Sequence, residues 1–201
     1  MSLWRGDRLI LASKSTARQA LLTSARIPFE AIVADIDERA VEKEAQSSTP
    51  GDVALHLARA KALHVATSQP GRLVLGADQT LALGDKRFSK PKDLAQAADQ
   101  LRAFSGATHH LHSGIAIARD GKILFEHVAS AGMHVRKLSD DFIKAYLNEV
   151  GDKALTSVGA YQVEGAGIHL FEKIDGDHST IMGLPLMPLL NFLRRHGALV
   201  S

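Results

Sequence analysis

The stretch Leu73-Val74-Leu75-Gly76-Ala77-Asp78-Gln79-Thr80 brings a carboxylate to the end of an apolar run. The three apolar residues that follow Pro70-Gly71 predict a short buried strand. Gly76 has no side chain and therefore lets another segment approach the backbone closely. A buried carboxylate is costly unless it is paired or bound to a cation. Asp78 is therefore either a simple turn residue or a functional group.

A second apolar run, Leu9-Ile10-Leu11-Ala12, leads into Ser13-Lys14-Ser15-Thr16-Ala17-Arg18. This order predicts a helix that begins near Ser15, whose hydroxyl is a good N-cap. A helix start offers free backbone N–H groups and a positive dipole end to an anion. Arg18, one turn further, adds a planar cation that fits phosphate. The segment is either a phosphate site or a capped surface helix.

Hydrophobic periodicity and turn residues predict the remaining elements. Strands are predicted at 29–33, 81–88 (a hairpin turned at Gly84-Asp85), 108–119, 122–137 and 168–174, helices at 52–67, 93–104, 140–150 and after Gly183-Leu184-Pro185, and a loop at Ser47-Ser48. The pair Asp120-Gly121 between two of these strands is a strong hairpin signal.

Several charged residues have two readings each. The acidic stretch from Asp35 to Glu38 is either a solvated loop or a ligand set for a hard divalent cation. Lys61 lies on a mostly apolar helical stripe, so its amine reaches either water or a site. Pro91 holds Lys90 extended. Glu164 lies in a glycine-rich segment that precedes a strand, which excludes a dinucleotide-binding fingerprint.

Three histidines lie close together in one predicted strand. Strand alternation puts His110 and His112 on one face and His109 on the other. No carboxylate lies at ligand spacing, so we expect ordinary strand surface rather than a metal site.

Composition limits the protein class. The 201 residues, 45% hydrophobic and 23% charged, are typical of one globular domain. A net charge of +2 and 5% aromatic residues disfavour nucleic-acid binding. The sequence has no cysteine, which excludes disulfides, zinc fingers and cysteine nucleophiles. No apolar run approaches the roughly 18 residues of a membrane helix and no signal peptide is evident, so we expect a cytoplasmic protein without a membrane partner.

Together these motifs resemble the Maf family of nucleoside triphosphate pyrophosphatases, from Leu9 to about Gly197. The motifs that carry the resemblance are Ser13 to Arg18, Gly76-Ala77-Asp78-Gln79, Lys90-Pro91, Leu101 to Gly106, Gly159-Ala160-Tyr161, Asp175-Gly176-Asp177 and Gly183-Leu184-Pro185. Each motif alone is weak, whereas their order along the chain is specific.

The resemblance implies an α/β fold, with a mixed sheet, flanking helices and two lobes around a central cleft, as in the inosine triphosphatase group. It implies a single Maf-like domain over residues 1–201, a homodimer, and a Mg²⁺ or Mn²⁺ requirement. The implied reaction releases pyrophosphate from a nucleoside triphosphate. An alternative is a nucleotide-binding regulator of cell division that needs no turnover.

The resemblance also implies roles for individual residues. Asp78 matches the family's proton acceptor, and Glu38, Lys61 and Lys90 match further polar catalytic positions. The substrate-binding positions are Ser13, Ser15 and Arg18, and the expected metal ligands are Glu38 and Asp78.

Subgroups of the family differ at the positions of Ala17, Gln79 and Glu164. The dTTP/UTP-cleaving subgroup typically has Arg, Thr and Gln there, and the 7-methyl-GTP-cleaving subgroup typically has Trp, Gln and Glu. Two of the three positions favour 7-methyl-GTP or a related modified nucleotide, while Ala17 matches neither pattern. A dTTP/UTP pyrophosphatase is the alternative within the family.

Overall fold

The structure is a computed structural model, and it describes residues 3–45 and 49–200. The loop predicted at Ser47-Ser48 lies outside the described residues. The chain divides into two compact units. The first unit comprises Met1–Gln79, His112–Ala129 and His178–Ser201, and the second comprises Thr80–Leu111 and Ser130–Asp177.

Strands and helices alternate along most of the chain. The strands are β1 (Leu9–Ala12), β2 (Phe29–Ala31), β3 (Val74–Leu83), β4 (Lys86–Phe88), β5 (Thr108–Arg119), β6 (Lys122–Val135) and β7 (Phe171–Asp175). The α-helices are α1 (Thr16–Ser24), α2 (Glu38–Glu44), α3 (Pro50–Ala66), α4 (Leu94–Phe104), α5 (Asp140–Val150), α6 (His178–Ile181) and α7 (Leu186–Arg195). Short 3-10 helices form at Gly151–Leu155, Val158–Ala160 and Ala166–Leu170.

The strands form a mixed sheet in the order β2-β1-β3-β5-β6-β7, with β4 paired to β3. Strand β1 pairs in parallel with β2 and β3, whereas β3–β4 and β6–β7 are antiparallel. Strands β3, β5 and β6 contribute residues to both units. The predicted α/β class, with a mixed sheet and flanking helices, is confirmed. The single domain over residues 1–201 and the central cleft stay predictions.

In the first unit, the sheet is covered by helices on both faces. Leu11 packs in one cluster with Leu22 of α1 and Leu193 of α7. Ile10, which points to the opposite face, packs with Ala58 of α3. A strand buried on both faces needs a continuous apolar sequence, and this explains the unbroken run of β1.

Helix α3 lies directly on two glycines of the sheet. A Cβ atom added to Gly76 of β3 would lie 2.0 Å from the carbonyl oxygen of Ala58. A Cβ atom on Gly114 of β5 would lie 2.6 Å from the backbone of Ala54. The close approach expected at Gly76 is therefore confirmed, and it requires the absence of a side chain.

The second unit buries a histidine among aromatic rings. His109 is fully buried, its Nε2 lies 2.6 Å from the hydroxyl of Tyr161, and its ring centroid lies 4.6 Å from that of Phe104. The prediction of strand surface is therefore wrong for His109, because its strand face points into this core. His110, on the other face, is exposed as expected.

One predicted strand begins later than expected. Residues 166–170 form a 3-10 helix, and β7 begins at Phe171 rather than at Ile168. A Cβ atom on Gly167 would lie 2.4 Å from the carbonyl oxygen of Gln162, so the chain folds back on itself there instead of extending. Strands β2 and β6 end about two residues earlier than predicted, at Ala31 and Val135.

In the part of the chain that the structure describes, no helix combines the length and apolarity that crossing a membrane requires.

We expect the substitution Gly76→Ala to destabilise the protein by about 3 kcal/mol or more, because the new methyl group collides with the backbone of α3. Urea unfolding followed by circular dichroism measures the change. Gly165→Ala is the matched control, since its Cβ atom would meet nothing closer than 3.9 Å. Equal stability of the two variants would contradict the close approach.

Stability should fall on acidification because of His109. Burial, with a smaller contribution from His110, lowers the pKa of His109 from 6.5 to about 3. Between these values the unfolded chain binds the proton and the folded chain does not, so stability is lost as the pH falls below 6.5. We expect a loss of about 1.4 kcal/mol per pH unit from this group.

The variant His109→Gln should therefore show a shallower pH dependence of its free energy of unfolding between about pH 6.5 and pH 4.5 than the wild type. The variant His64→Gln changes an exposed histidine and should keep the wild-type slope. The same slope in all three proteins would refute the assignment to His109.

Candidate active site

Asp78, Lys61 and Glu38 form one ion-pair cluster in the first unit. The ammonium of Lys61 donates to Oδ2 of Asp78 and, at 2.7 Å, to Oε1 of Glu38. The other carboxylate oxygen of Asp78, Oδ1, accepts from the backbone N–H of Gln79 at 2.7 Å. The side chains of Lys61 and Asp78 are 11% and 14% exposed, and that of Glu38 is 55% exposed. The cluster is thus buried on one side and open on the other.

The local fold explains why these three residues meet. Asp78 follows Gly76 by two positions on β3, so both face α3, and the close approach at Gly76 brings Lys61 within reach. Glu38 is the first residue of α2, which is capped by the Asp37 carboxylate. Val41 of α2 packs against a small apolar cluster that includes residues of α3.

Arg18 is held from three directions. Its Nη1 donates to Oγ of Ser13 at 3.1 Å and to the carbonyl of Ala77 at 2.9 Å, and its Nε donates to the carbonyl of Gly183 at 2.9 Å. These three hydrogen bonds use the N–H groups of Nε and Nη1, and the two N–H groups of Nη2 take part in none of them. Two N–H donors of a fixed guanidinium are therefore left for a ligand, and an anion is the natural one.

The start of α1 is built around the same arginine. The predicted N-cap is confirmed: Oγ of Ser15 accepts from the backbone N–H of Arg18 at 3.4 Å. Oγ of Ser13 accepts from the backbone N–H of Ser15 at 3.2 Å.

Burial lowers the pKa of Arg18 below its ordinary value, and the nearby carboxylates of Asp78 and Glu38 partly oppose this shift. A guanidinium stays protonated in such surroundings, so the site keeps a fixed positive charge.

The two carboxylates suit a hard divalent cation that also binds phosphate. Asp78 and Glu38 contact the same ammonium, so their oxygens converge on one point. Over residues 3–45 and 49–200, no group of three or more His, Asp or Glu side chains is arranged to hold a metal ion. The two converging carboxylates by themselves fit Mg²⁺ or Mn²⁺, because Mg²⁺ in phosphate sites usually takes its other ligands from water and substrate oxygens.

Two predicted site residues belong to the second unit. Lys90 is exposed between β4 and α4, next to Ser89, whose carbonyl accepts from Nε2 of Gln100 at 2.9 Å. Glu164 is exposed in a turn, which is closed by a 3.2 Å hydrogen bond from the N–H of Gly165 to the carbonyl of Gln162. The first unit holds the other predicted residues: Ser13, Ser15, Ala17, Arg18, Glu38, Lys61, Asp78 and Gln79.

Two contacts of the site were missed by sequence reasoning. Ser113 is fully buried and hydrogen-bonds to both Gln79 and the carbonyl of Thr180. Gly183 is predicted as part of a helix start and of a family motif, and the contact of its carbonyl with Arg18 was missed. The available signals were a serine directly before Gly114 in an apolar strand and a glycine that no helix start requires.

Comparison with known proteins agrees with the sequence motifs. The Maf-like protein family matches residues 8–196. A nucleoside triphosphate pyrophosphatase from Rhodopseudomonas palustris (strain BisB5) is 60% identical over 195 residues, which cover 96% of each chain. A 7-methyl-GTP pyrophosphatase from Brucella suis biovar 1 is 58% identical over 190 residues, which cover 94% of this chain and 96% of that one.

Among solved structures, a HAM1 protein from Coxiella burnetii aligns with a TM-score of 0.43 and 16% identity over 64% of this chain and 72% of that one. The family is established by the match over nearly the whole length of the chain and by the high identity to curated relatives. The chain belongs to the Maf-like protein family.

Proposed function

We propose that this protein hydrolyses a nucleoside triphosphate to the monophosphate and pyrophosphate, with Asp78 as the proton acceptor. The observation that carries the proposal is the half-buried cluster of two carboxylates beside two cations. A protein that only binds polyphosphate gains nothing from Asp78 and Glu38, because carboxylates repel phosphate unless a cation or a proton lies between them. The names of the relatives from R. palustris and B. suis support the same reaction class, a hydrolase acting on acid anhydrides.

The reaction proceeds by attack of water on the α-phosphorus. The bond from the water oxygen to the α-phosphorus forms as the bond from that phosphorus to the bridging oxygen breaks, and pyrophosphate leaves. The water proton passes to Asp78. Lys61 and the N–H of Gln79 hold one carboxylate oxygen each, so the base is oriented before substrate arrives.

Positive groups hold the triphosphate during this step. Nη2 of Arg18 and the hydroxyl hydrogen of Ser13 are the donors of the α1 start, and Ser15 shapes that start as its N-cap. We assign Lys61 and Lys90 to the phosphates as well. A divalent cation held by Glu38 and Asp78 would neutralise phosphate oxygens and stabilise the charge that develops on pyrophosphate.

The base that we propose is 7-methylguanine or a related modified base. The Glu164 carboxylate can accept N–H donors from a guanine edge or face a cationic methylated ring. The relative from B. suis supports this choice by its name. Ala17 offers no aromatic ring for stacking, so UTP and dTTP remain the comparison substrates. The cytoplasmic location and the homodimer stay predictions.

The direct test is a screen of 7-methyl-GTP, GTP, UTP and dTTP with Mg²⁺ or Mn²⁺, in which pyrophosphate is detected separately from orthophosphate. We expect pyrophosphate release that is fastest with 7-methyl-GTP and abolished by a chelator. Release that favours UTP or dTTP would keep the reaction and refute the base. Tight nucleotide binding without pyrophosphate would support a regulatory role instead.

Asp78→Asn should lower kcat by at least about 100-fold, because the amide cannot accept the water proton. Asp85→Asn, an exposed position in the turn between β3 and β4, is the control and should keep wild-type kcat. Both variants should unfold at the wild-type temperature within a few degrees. Full turnover by a folded Asp78→Asn protein would remove Asp78 from the mechanism.

Glu164→Gln should reduce kcat/KM for 7-methyl-GTP about tenfold relative to UTP, because it removes the negative charge that faces the base. Glu172→Gln, an exposed carboxylate of β7 in the same unit, serves as the matched control. A proportional loss with both nucleotides would mean that Glu164 does not read the base.

A further inference from the structure

We propose that Gln79 and Ser113 are positioning residues for Arg18, which they fix through the carbonyl groups of the segment His178–Gly183. The inference rests on the proposed function, because it assigns Arg18 to the triphosphate. It gives Gln79 a role other than the substrate-specificity position that the family resemblance implies, and it gives Ser113 a role that the resemblance does not supply.

The first step is the contact between the sheet and the segment. Nε2 of Gln79 lies 2.9 Å from Oγ of Ser113, 3.1 Å from the carbonyl oxygen of Thr180 and 3.0 Å from that of Ile181. Oγ of Ser113 donates to the same carbonyl of Thr180 at 2.7 Å. Ser113 is 0% exposed and Thr180 is 3% exposed, so water does not compete for these bonds.

The second step leads from the segment to Arg18. Helix α6 is a single turn, and the N–H of Gly183 donates to the carbonyl of Thr180 at 3.0 Å. The carbonyl of Gly183 then accepts from Nε of Arg18. A Cβ atom on Gly183 would lie 3.2 Å from both Nε and Nη2 of Arg18, and φ is +88° there, so this position favours glycine. The chain of contacts runs from Gln79 and Ser113, through Thr180 and Gly183, to the guanidinium.

The third step concerns the donors of Gln79. Its amide has two N–H groups, and three acceptors of the first unit surround them. A nucleotide base could accept from Nε2 only if one of these bonds broke, and the carbonyl left behind would be buried without that donor. Because side chains alternate along β3, Gln79 also points away from the face that carries Asp78. The Nε2 donors of Gln79 are therefore committed to the protein, and this geometry gives the amide nitrogen a positioning role.

The experiment uses inorganic tripolyphosphate, which has no base, as the probe. Binding to the full-length protein is measured by isothermal titration calorimetry with Mg²⁺ present. We expect Ser113→Ala and Gln79→Glu each to weaken binding about tenfold, since each loses hydrogen bonds that hold the Gly183 carbonyl against Arg18. Ser68→Ala is the control. Ser68 also donates to a backbone carbonyl, that of Val65, but this bond is not one of those that lead from Ser113 to Arg18.

Two further measurements separate positioning from a general structural effect. The same variants should raise KM for 7-methyl-GTP and for UTP by the same factor, so that the preference between the bases is unchanged. In the background of Arg18→Ala, Ser113→Ala should weaken tripolyphosphate binding no further, because the residue acts only through the arginine.

Three results would overturn the proposal. The first is an altered base preference with unchanged tripolyphosphate binding, and the second is full additivity of Ser113→Ala with Arg18→Ala. The third is wild-type affinity in a folded Ser113→Ala protein, which loses only one hydroxyl and keeps the test valid if Gln79→Glu does not fold. If the wild type binds tripolyphosphate but releases no pyrophosphate from any nucleotide, the proposed reaction fails while the binding measurements still decide the role of Gln79 and Ser113.

Discussion

The close approach of α3 to β3 at Gly76 is the contact on which the first unit depends. Helix and strand touch backbone to backbone there, because a Cβ atom would lie 2.0 Å from the carbonyl oxygen of Ala58. One consequence is a tightly packed core of small residues on that face. Another is that Lys61, on the next turn of the helix, reaches Asp78 in the middle of the strand. The packing that stabilises the fold is thus the packing that forms the ion-pair cluster.

The alternation of side chains along β3 gives its last residues in this unit two different tasks. Asp78 points to α3 and meets Lys61, whereas Gln79 points to the opposite face and meets Ser113. The carbonyl of Ala77, between them and Gly76, accepts from Arg18. Three consecutive residues of one strand therefore connect the carboxylate cluster to the guanidinium. A shift of register by one residue would exchange the two faces and separate both groups.

Sequence reasoning found the local features and missed those that depend on tertiary contacts. The Ser15 cap and the Asp120-Gly121 turn follow from the preferences of a few neighbouring residues, and both are observed. The burial of His109 was missed because its aromatic neighbours, such as Tyr161, come from distant segments. The contact of Arg18 with Gly183 joins residues that lie 165 positions apart in the chain. The acceptor is a main-chain oxygen, and because every residue has one, no pattern of side chains predicts which oxygen accepts.

The charge balance of the cluster bears on how a triphosphate would enter it. Lys61 contacts two carboxylates, so its positive charge is already compensated, and Arg18 also lies in the field of both. Two cations and two carboxylates offer little net attraction to a ligand with several negative charges. Asp78 and Glu38 would hold a divalent cation, which would supply the missing positive charge, and Lys61 would then be free to face phosphate oxygens. The two carboxylates would repel a triphosphate that arrives alone, so under the proposed function they would admit it only together with a divalent cation.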